Sequence, residues 1–168
     1  VYKRQSNPVT TIAAPTSGGN PSSAATIDHS APVTGTFKVT ITTTVNEGYT
    51  FINWTENDQE VSVNPTYYLT TTTDRELIAN FKLNQYVIAV SAEPALGGSL
   101  NGGGSIDHGE VISVTATPNE GYTFINWTED GQEVSTNLMY SVTVTEPHTL
   151  IAHFDPHQYA LSLDATPL

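Results

Sequence analysis

The chain has 168 residues, of which 38% are hydrophobic, so it is expected to form one or two domains with small cores rather than one large core. Five lysines and arginines stand against 17 acidic residues, and the net charge of -12 excludes nucleic acid and anionic membrane surfaces as expected partners. The chain has no cysteine, which excludes disulfides and thiolate metal sites, and no apolar run approaches the roughly 18 residues of a membrane helix.

The first five residues, Val1–Gln5 (VYKRQ), resemble a translated sequencing adapter rather than part of a folded domain. We therefore exclude residues 1–5 from the fold predictions. The basic residues that remain are Lys38, Arg75 and Lys82, so the rest of the chain is still more acidic than its total composition indicates. Both ends of the sequence are expected to be cut points within a longer protein.

From residue 6 onward the chain is a tandem repeat. The nine residues Gly48–Glu56 (GYTFINWTE) recur at Gly121–Glu129, an offset of 73 residues (48 to 121). The same offset aligns Leu77-Ile78-Ala79 with Leu150-Ile151-Ala152. Towards the start the offset becomes 79 (13 to 92), because the first copy carries an insertion near residues 30–35 (SAPVTG).

The predicted modules are repeat one at residues 6–84, repeat two at 85–157, and the start of a truncated third copy at 158–168. No flexible linker lies near residue 84. Neighbouring repeats of the chain are therefore expected to be each other's partners and to form a semi-rigid rod.

Within each repeat, apolar and polar residues alternate, which is typical of strands with one buried face. The outward residues are rich in threonine, which suits a solvated sheet. No stretch has a long helical period, so the predicted fold class is all-β, with little or no helix. The predicted inward residues of repeat two are Tyr86, Ile88, Val90, Ala92, Ile112, Val114, Ala116, Tyr140, Val142, Val144, Leu150, Ala152 and Phe154.

One predicted strand, Tyr122–Glu129, is apolar on both faces, which indicates either a central or a bulged strand. A turn is predicted before it at Pro118–Gly121, where glycine can adopt a positive φ. Two hairpins are also expected. One is marked by the glycines of residues 97–104, and the other is the acidic segment Glu129–Glu133.

The segment GGSLNGGGSIDHGEVISVTATPNEGYTFINWTEDG (residues 97–131), followed by a strand ending in LIAHF, resembles the divergent internalin B-repeat family of bacterial repeat domains. The resemblance covers essentially the whole chain after residue 5. It implies tandem β-rich modules of about 73 residues, B-repeat or β-grasp-like, on secreted or wall-attached bacterial proteins. It implies no catalytic residues.

Two sets of histidines could indicate a catalytic site or a metal site. Asp28-His29 and Asp107-His108 are equivalent pairs, but adjacent residues on a strand point to opposite faces, and no nucleophile motif accompanies them. A second set lies late in repeat two, where repeat one has Arg75, Asn80 and Asn84. We interpret its members as surface residues rather than zinc ligands: His148, His153 and His157.

Acidic and aromatic residues supply the remaining candidates. The segments Glu56–Glu60 and Glu129–Glu133 do not follow the calcium-loop spacing and are interpreted as solvated turns. The tryptophans are interpreted as core residues, because a core this small needs them. The alternative is an exposed sugar-stacking platform, whose candidate ligand contacts are Tyr49, Trp54, Tyr122 and Trp127.

These patterns favour a non-enzymatic spacer or stalk within an extracellular or cell-surface bacterial protein, with no catalytic residues, cofactor or metal. The alternative is an adhesin-type module that binds a host or matrix glycan or protein through exposed aromatics or a free sheet edge. Buried tryptophans would weigh against the glycan form of that alternative.

Overall fold

The structure is a computed structural model that describes residues 5–21, 25–29 and 37–159. Most of the adapter-like segment, the predicted insertion at 30–35 and residues 160–168 of the predicted third copy lie outside the described residues. The chain divides into two compact units, Val1–Asn84 and Gln85–Leu168. Within the described ranges no helix is long and apolar enough to cross a membrane.

In the described parts of the chain, each unit contributes eight strands in the same order, which confirms the all-β prediction. The only helical element among the described residues is a single 3-10 turn at Thr16–Gly18. The first unit contains β1 (Gln5–Ala14), β2 (Gly19–Pro21), β3 (Ala25–His29), β4 (Phe37–Val45), β5 (Tyr49–Glu56), β6 (Gln59–Ser62), β7 (Thr66–Thr71) and β8 (Arg75–Leu83). The second contains β9 (Gln85–Glu93), β10 (Gly98–Asn101), β11 (Gly104–Asp107), β12 (Val111–Pro118), β13 (Tyr122–Glu129), β14 (Gln132–Ser135), β15 (Met139–Thr143) and β16 (His148–Pro156).

The strands of each unit form a five-stranded and a three-stranded sheet. In the second unit the orders are β11-β9-β16-β13-β14 and β10-β12-β15, and the first unit has the equivalent orders β3-β1-β8-β5-β6 and β2-β4-β7. The first and last strands of each unit pair in parallel, β1 with β8 and β9 with β16, while every other pair is antiparallel. The parallel pair closes each repeat on itself.

Each unit has its own core, built from the inward residues of both sheets. The alternation predicted for β9, β12 and β16 is present, with Ile88, Val114 and Leu150 buried. The first core contains Val9, Val39, Ile41, Trp54, Leu69, Leu77, Ala79 and Phe81, and the second contains Ile88, Val114, Ala116, Trp127, Val144, Leu150, Ala152 and Phe154. Burying these apolar surfaces stabilises each repeat independently.

Strand β13 is both central and bulged, as its double-sided apolar pattern predicts. Phe124 pairs with Phe154, and the next pair is Asn126 with His153, so Ile125 is the extra residue of the bulge. The bulge changes the side-chain alternation, so that Phe124 and Trp127 contact the same core although they are three residues apart. The equivalent bulge in β5 lies between Phe51 and Asn53.

The glycine-rich segment 97–104 is not the hairpin that was predicted. The strand after Gly97 is β10, which joins the three-stranded sheet, whereas β11 joins the five-stranded sheet, so the glycines at 102 and 103 carry the chain from one sheet to the other. Gly97 packs closely against the side chain of Phe154. A Cβ atom at residue 97 would lie 2.5 Å from Cβ of Phe154, so only glycine fits this position without a shift. Sequence shows two glycines but not the ring that requires them.

Candidate functional site

The two tryptophans lie at the centre of the two cores. Trp54 and Trp127 occupy equivalent positions of β5 and β13, and both are 0% exposed. The ring centroids of Phe51 and Phe124 lie 5.9 Å and 6.0 Å from those of their respective tryptophans. A fully buried indole cannot stack on a sugar. The alternative prediction of a sugar-stacking platform is therefore wrong for both tryptophans, which act as core residues.

Tyr49 and Tyr122, the other two candidate ligand contacts, begin β5 and β13. Both are half-buried and pack against their cores. The hydroxyl of Tyr49 shares a hydrogen bond of 2.8 Å with Oγ of Ser17. Both tyrosines therefore contribute to packing, and contact with a ligand stays a prediction for them.

A glutamate paired with a nitrogen-bearing side chain recurs at one position in both repeats, with arginine in one and histidine in the other. In repeat one the guanidinium of Arg75 donates two hydrogen bonds to Glu56, and this bonding raises the pKa of Arg75 above its usual value. In repeat two the equivalent residues are His148 and Glu129, whose Nδ1 and Oε1 lie 2.7 Å apart. Both pairs are largely shielded from solvent and join the hairpin strand to the last strand of the repeat.

His153 likewise takes the place of an asparagine in the other repeat. Nε2 of His153 shares a hydrogen bond of 2.8 Å with Oγ1 of Thr128. In repeat one, Nδ2 of Asn80 donates to Oγ1 of Thr55 at 3.0 Å. The histidine therefore makes the same cross-strand contact as the amide, and in addition its Nδ1 lies 3.6 Å from Oε2 of Glu93, where repeat one has Ala14.

His157 also makes the same cross-strand contact as the asparagine at the equivalent position of repeat one. Its Nε2 shares a hydrogen bond of 2.9 Å with Oγ1 of Thr123, while in repeat one Oγ1 of Thr50 donates to Oδ1 of Asn84 at 2.6 Å. Across residues 5–21, 25–29 and 37–159, no group of three or more histidine or acidic side chains is arranged to hold a metal ion.

The Asp107-His108 pair separates at the end of β11. Oδ1 of Asp107 accepts a hydrogen bond of 2.7 Å from Nε2 of Gln85 on the neighbouring strand. The ring of His108, which lies in the turn after β11, packs edge-on against Tyr86 with the centroids 6.0 Å apart. These two side chains therefore serve different contacts. The backbones of Asp28 and His29 lie in β3, and their side chains are outside the described part of the structure.

The acidic hairpins use their carboxylates within the fold. Oε2 of Glu60 accepts a hydrogen bond of 2.7 Å from Nδ2 of Asn53, and Glu133 accepts the same bond from Asn126 at 2.7 Å. Glu56 and Glu129, the first residues of the two hairpins, are held by Arg75 and His148 as described above. Four of the acids considered as calcium ligands therefore already have protein partners.

An open surface pocket of about 490 Å³ lies on the outer face of the five-stranded sheet in repeat two. Its polar groups are mostly engaged with one another, as in the Thr128–His153 bond. Repeat one has Ala14, Asn80 and Lys82 in place of the pocket's Glu93, His153 and Asp155, so its chemistry differs between the copies. The lining residues are Glu93, Pro94, Ile125, Asn126, Thr128, His153, Phe154 and Asp155.

Comparison with protein families gives a match over both repeats. The family described as the divergent InlB B-repeat domain matches residues 9–85 and 88–158 in two tandem copies. The chain belongs to this family. Comparison with curated proteins and with solved structures gives no match.

The two B-repeats thus share a scaffold. Sequence reasoning missed two features of the chain. The first is the Gly-Gly pair that packs on the closing phenylalanine, Gly18 against Phe81 and Gly97 against Phe154. Asn119, in the turn after β12, holds this pair in place with two hydrogen bonds of 3.0 Å. Its backbone N–H donates to the carbonyl oxygen of Gly97, and its side-chain Nδ2 donates to the carbonyl oxygen of Leu96.

The second missed residue is Tyr68, which is 74% exposed on β7 of the first B-repeat. The signal for it was present in the sequence. Tyr67 aligns with the inward Tyr140, so the next residue along a strand must face outward. Tyr68, rather than a tryptophan, is therefore an exposed aromatic residue among the described residues of this B-repeat.

Proposed function

We propose that the two B-repeats form a non-enzymatic spacer segment of a bacterial surface or secreted protein. The observation that carries this proposal is that equivalent positions of the two repeats hold different residue types but make equivalent cross-strand contacts. His148, His153 and His157 of repeat two make the cross-strand contacts that Arg75, Asn80 and Asn84 make in repeat one. A catalytic or metal site would require those residue types, whereas a scaffold requires only the contacts.

The connection between the repeats also supports a spacer. A single residue, Asn84, separates the end of β8 from the start of β9. Its backbone amide donates a hydrogen bond of 2.8 Å to the carbonyl of Gly48, so the connecting residue is itself held by the first repeat. So short and constrained a connection leaves little of the freedom of a flexible linker. We therefore propose that neighbouring repeats of the chain are each other's main partners.

The proposal is tested by measuring the distance between two spin labels in the complete chain. Because the chain has no cysteine, Glu76→Cys and Thr149→Cys place one label at the same exposed position of β8 and of β16. A narrow distance distribution is expected. The matched control inserts about 12 flexible residues after Asn84, which should broaden the distribution strongly. If the chain without the insertion is already as broad as the control, the repeats are freely jointed and the spacer proposal is wrong.

A further inference from the structure

The first repeat carries an aromatic side chain on an otherwise flat, hydroxyl-rich sheet surface. This surface, which we name the Tyr68 face, is the outer side of β4 and β7 in the three-stranded sheet. The strand register places Tyr68 directly opposite Thr40, and Lys38 directly opposite Thr70. The face consists of Lys38, Thr40, Thr42, Thr44, Thr66, Tyr68 and Thr70.

The position of Tyr68 follows from its neighbours on β7. Leu69 is buried in the first core, and Tyr67 packs against that core from the inner side of the sheet. Strand alternation therefore directs Tyr68 to solvent, where 74% of its surface is exposed. Lys38 is its diagonal cross-strand neighbour, at a separation that long and aromatic side chains can span.

The chemistry of the face matches an uncharged sugar. An exposed ring offers an apolar surface, and threonine hydroxyls both donate and accept hydrogen bonds, as sugar hydroxyls do. The seven residues include no carboxylate, and the ammonium of Lys38 adds donors for sugar oxygens. The chain's net charge of -12 opposes the approach of polyanions, so charge favours a neutral ligand.

We propose that the Tyr68 face binds a neutral hexopyranose polysaccharide, with one sugar ring stacked on Tyr68 and its hydroxyls hydrogen-bonded by Lys38 and the threonines beside it. This role goes beyond that of a spacer, because it gives the first repeat a ligand. It also reassigns glycan contact from the buried tryptophans, which belong to the five-stranded sheets, to an exposed residue of a three-stranded sheet.

The second repeat is a natural control for this proposal. At the positions of Lys38 and Tyr68 it has Val111 and Ser141. Oγ of Ser141 shares a hydrogen bond of 2.8 Å with Oγ of Ser113, which occupies the position of Thr40. The same sheet is therefore present without the ring and without the ammonium, and it should not bind the sugar.

The test is calorimetric titration of the complete chain with neutral hexasaccharides of glucose, mannose and galactose. We expect one binding site per chain for at least one of them. Tyr68→Ala should weaken binding at least about tenfold, and Lys38→Gln should weaken it less. Adding Val111→Lys and Ser141→Tyr to the chain should raise the stoichiometry from one site to two.

Several outcomes would overturn the proposal. These are no binding of any of the three neutral sugars, equal binding by the Tyr68→Ala chain, or tighter binding of a galacturonate hexasaccharide than of the neutral ones. Self-association that disappears in Tyr68→Ala would mark the face as an interface between copies, and would also overturn it. Tyr159→Ala serves as the aromatic control, because Tyr159 is another exposed tyrosine that lies outside the Tyr68 face, and it should bind normally. Circular dichroism of each variant confirms that the fold is retained.

Discussion

The indole Nε1 of Trp54 donates a hydrogen bond of 3.2 Å to the carbonyl oxygen of Pro65, whereas Nε1 of Trp127, at the equivalent position, is buried without a hydrogen-bond partner. The carbonyl oxygen of Pro65 also accepts a hydrogen bond of 3.2 Å from the backbone amide of Thr43, and the equivalent carbonyl of Leu138 accepts the equivalent bond from Ala116 at 2.9 Å, so only the indole bond differs. The two repeats thus bury the same ring with different hydrogen bonding of its nitrogen.

Replacing each tryptophan by phenylalanine should therefore have unequal effects. Both changes remove ring volume from a core, but only Trp54→Phe removes a hydrogen bond, while Trp127→Phe removes an unpaired buried donor. Trp54→Phe should lower the stability of its repeat by about 1–2 kcal/mol more than Trp127→Phe lowers that of the other. Hydrogen exchange of β8 and β16, the last strands of the two repeats, measures each stability separately. Equal losses would contradict the prediction.

Gly97→Ala should destabilise the second repeat by about 1–3 kcal/mol, because the added methyl group would overlap the side chain of Phe154. Gly18→Ala should have the same effect on the first repeat, where Phe81 occupies the equivalent place. Ser99→Ala is the control, since Ser99 is exposed on β10 and should tolerate the change. Thermal unfolding of the three variants tests this, and an unaffected Gly97→Ala would show that the contact is not required.

The pair of Arg75 with Glu56 predicts how pH dependence changes when the arginine is replaced. Because the folded-state pKa of Arg75 is raised, Arg75 stays charged and its pair with Glu56 stabilises repeat one between about pH 5.5 and 8.5; the contribution of Arg75 is lost only as pH rises through its folded-state pKa. Arg75→His should make this repeat less stable by about 1 kcal/mol at about pH 8.5, with a smaller loss at about pH 5.5, because an imidazole is charged only when protonated.

The reciprocal variant is His148→Arg, which should stabilise repeat two, because a guanidinium can donate two hydrogen bonds to Glu129 as Arg75 does to Glu56. Urea denaturation at the two pH values, followed by hydrogen exchange of β8 and β16, measures both effects. If Arg75→His shows equal losses at the two pH values, the pair contributes through packing rather than through charge.

The tips of the two equivalent hairpins predict a reciprocal pair of changes. Asn57 and Asp58 both have positive φ, 48° and 61°, whereas the second hairpin has Asp130 and Gly131 at 49° and 76°. Glycine adopts such angles without a side-chain clash, so Asp58→Gly should stabilise repeat one by about 0.5–1 kcal/mol. Gly131→Asp should destabilise repeat two by a similar amount. Thermal unfolding of both variants checks the signs, and a destabilised Asp58→Gly would contradict the argument.

Sequence predicted the strands and the inward residues, because alternation is a local property of the chain. Ile88, Val114 and Leu150 are buried as their pattern requires. For β13 the double-sided apolar pattern left a central and a bulged strand as alternatives, and only the strand register shows that the bulge brings Phe124 and Trp127 to one core. Because the chain contains two repeats, each strand could be compared with its equivalent in the other repeat. This comparison separated the positions at which the residue is kept from those at which it varies.

Partner strands and long-range contacts were not visible in the same way. Nothing in the pattern of β9 shows that it pairs in parallel with β16, because periodicity gives the face of a residue but not its neighbour strand. The contact of Gly97 with Phe154 joins residues far apart in the chain, so a local reading mistook the glycines for a hairpin. The hydrogen bonds of His153 and His157 became understandable only beside those of Asn80 and Asn84.

The parallel pairing of first and last strands determines how a repeat carries mechanical load. Tension entering at the start of β9 and leaving at the end of β16 acts along two adjacent, parallel strands and pulls them in opposite directions. The six registered residue pairs from His148–Ile88 to His153–Glu93 are then loaded together, in shear, instead of opening one after another from an end. The pairing of β1 with β8 gives the first repeat the same resistance to stretching.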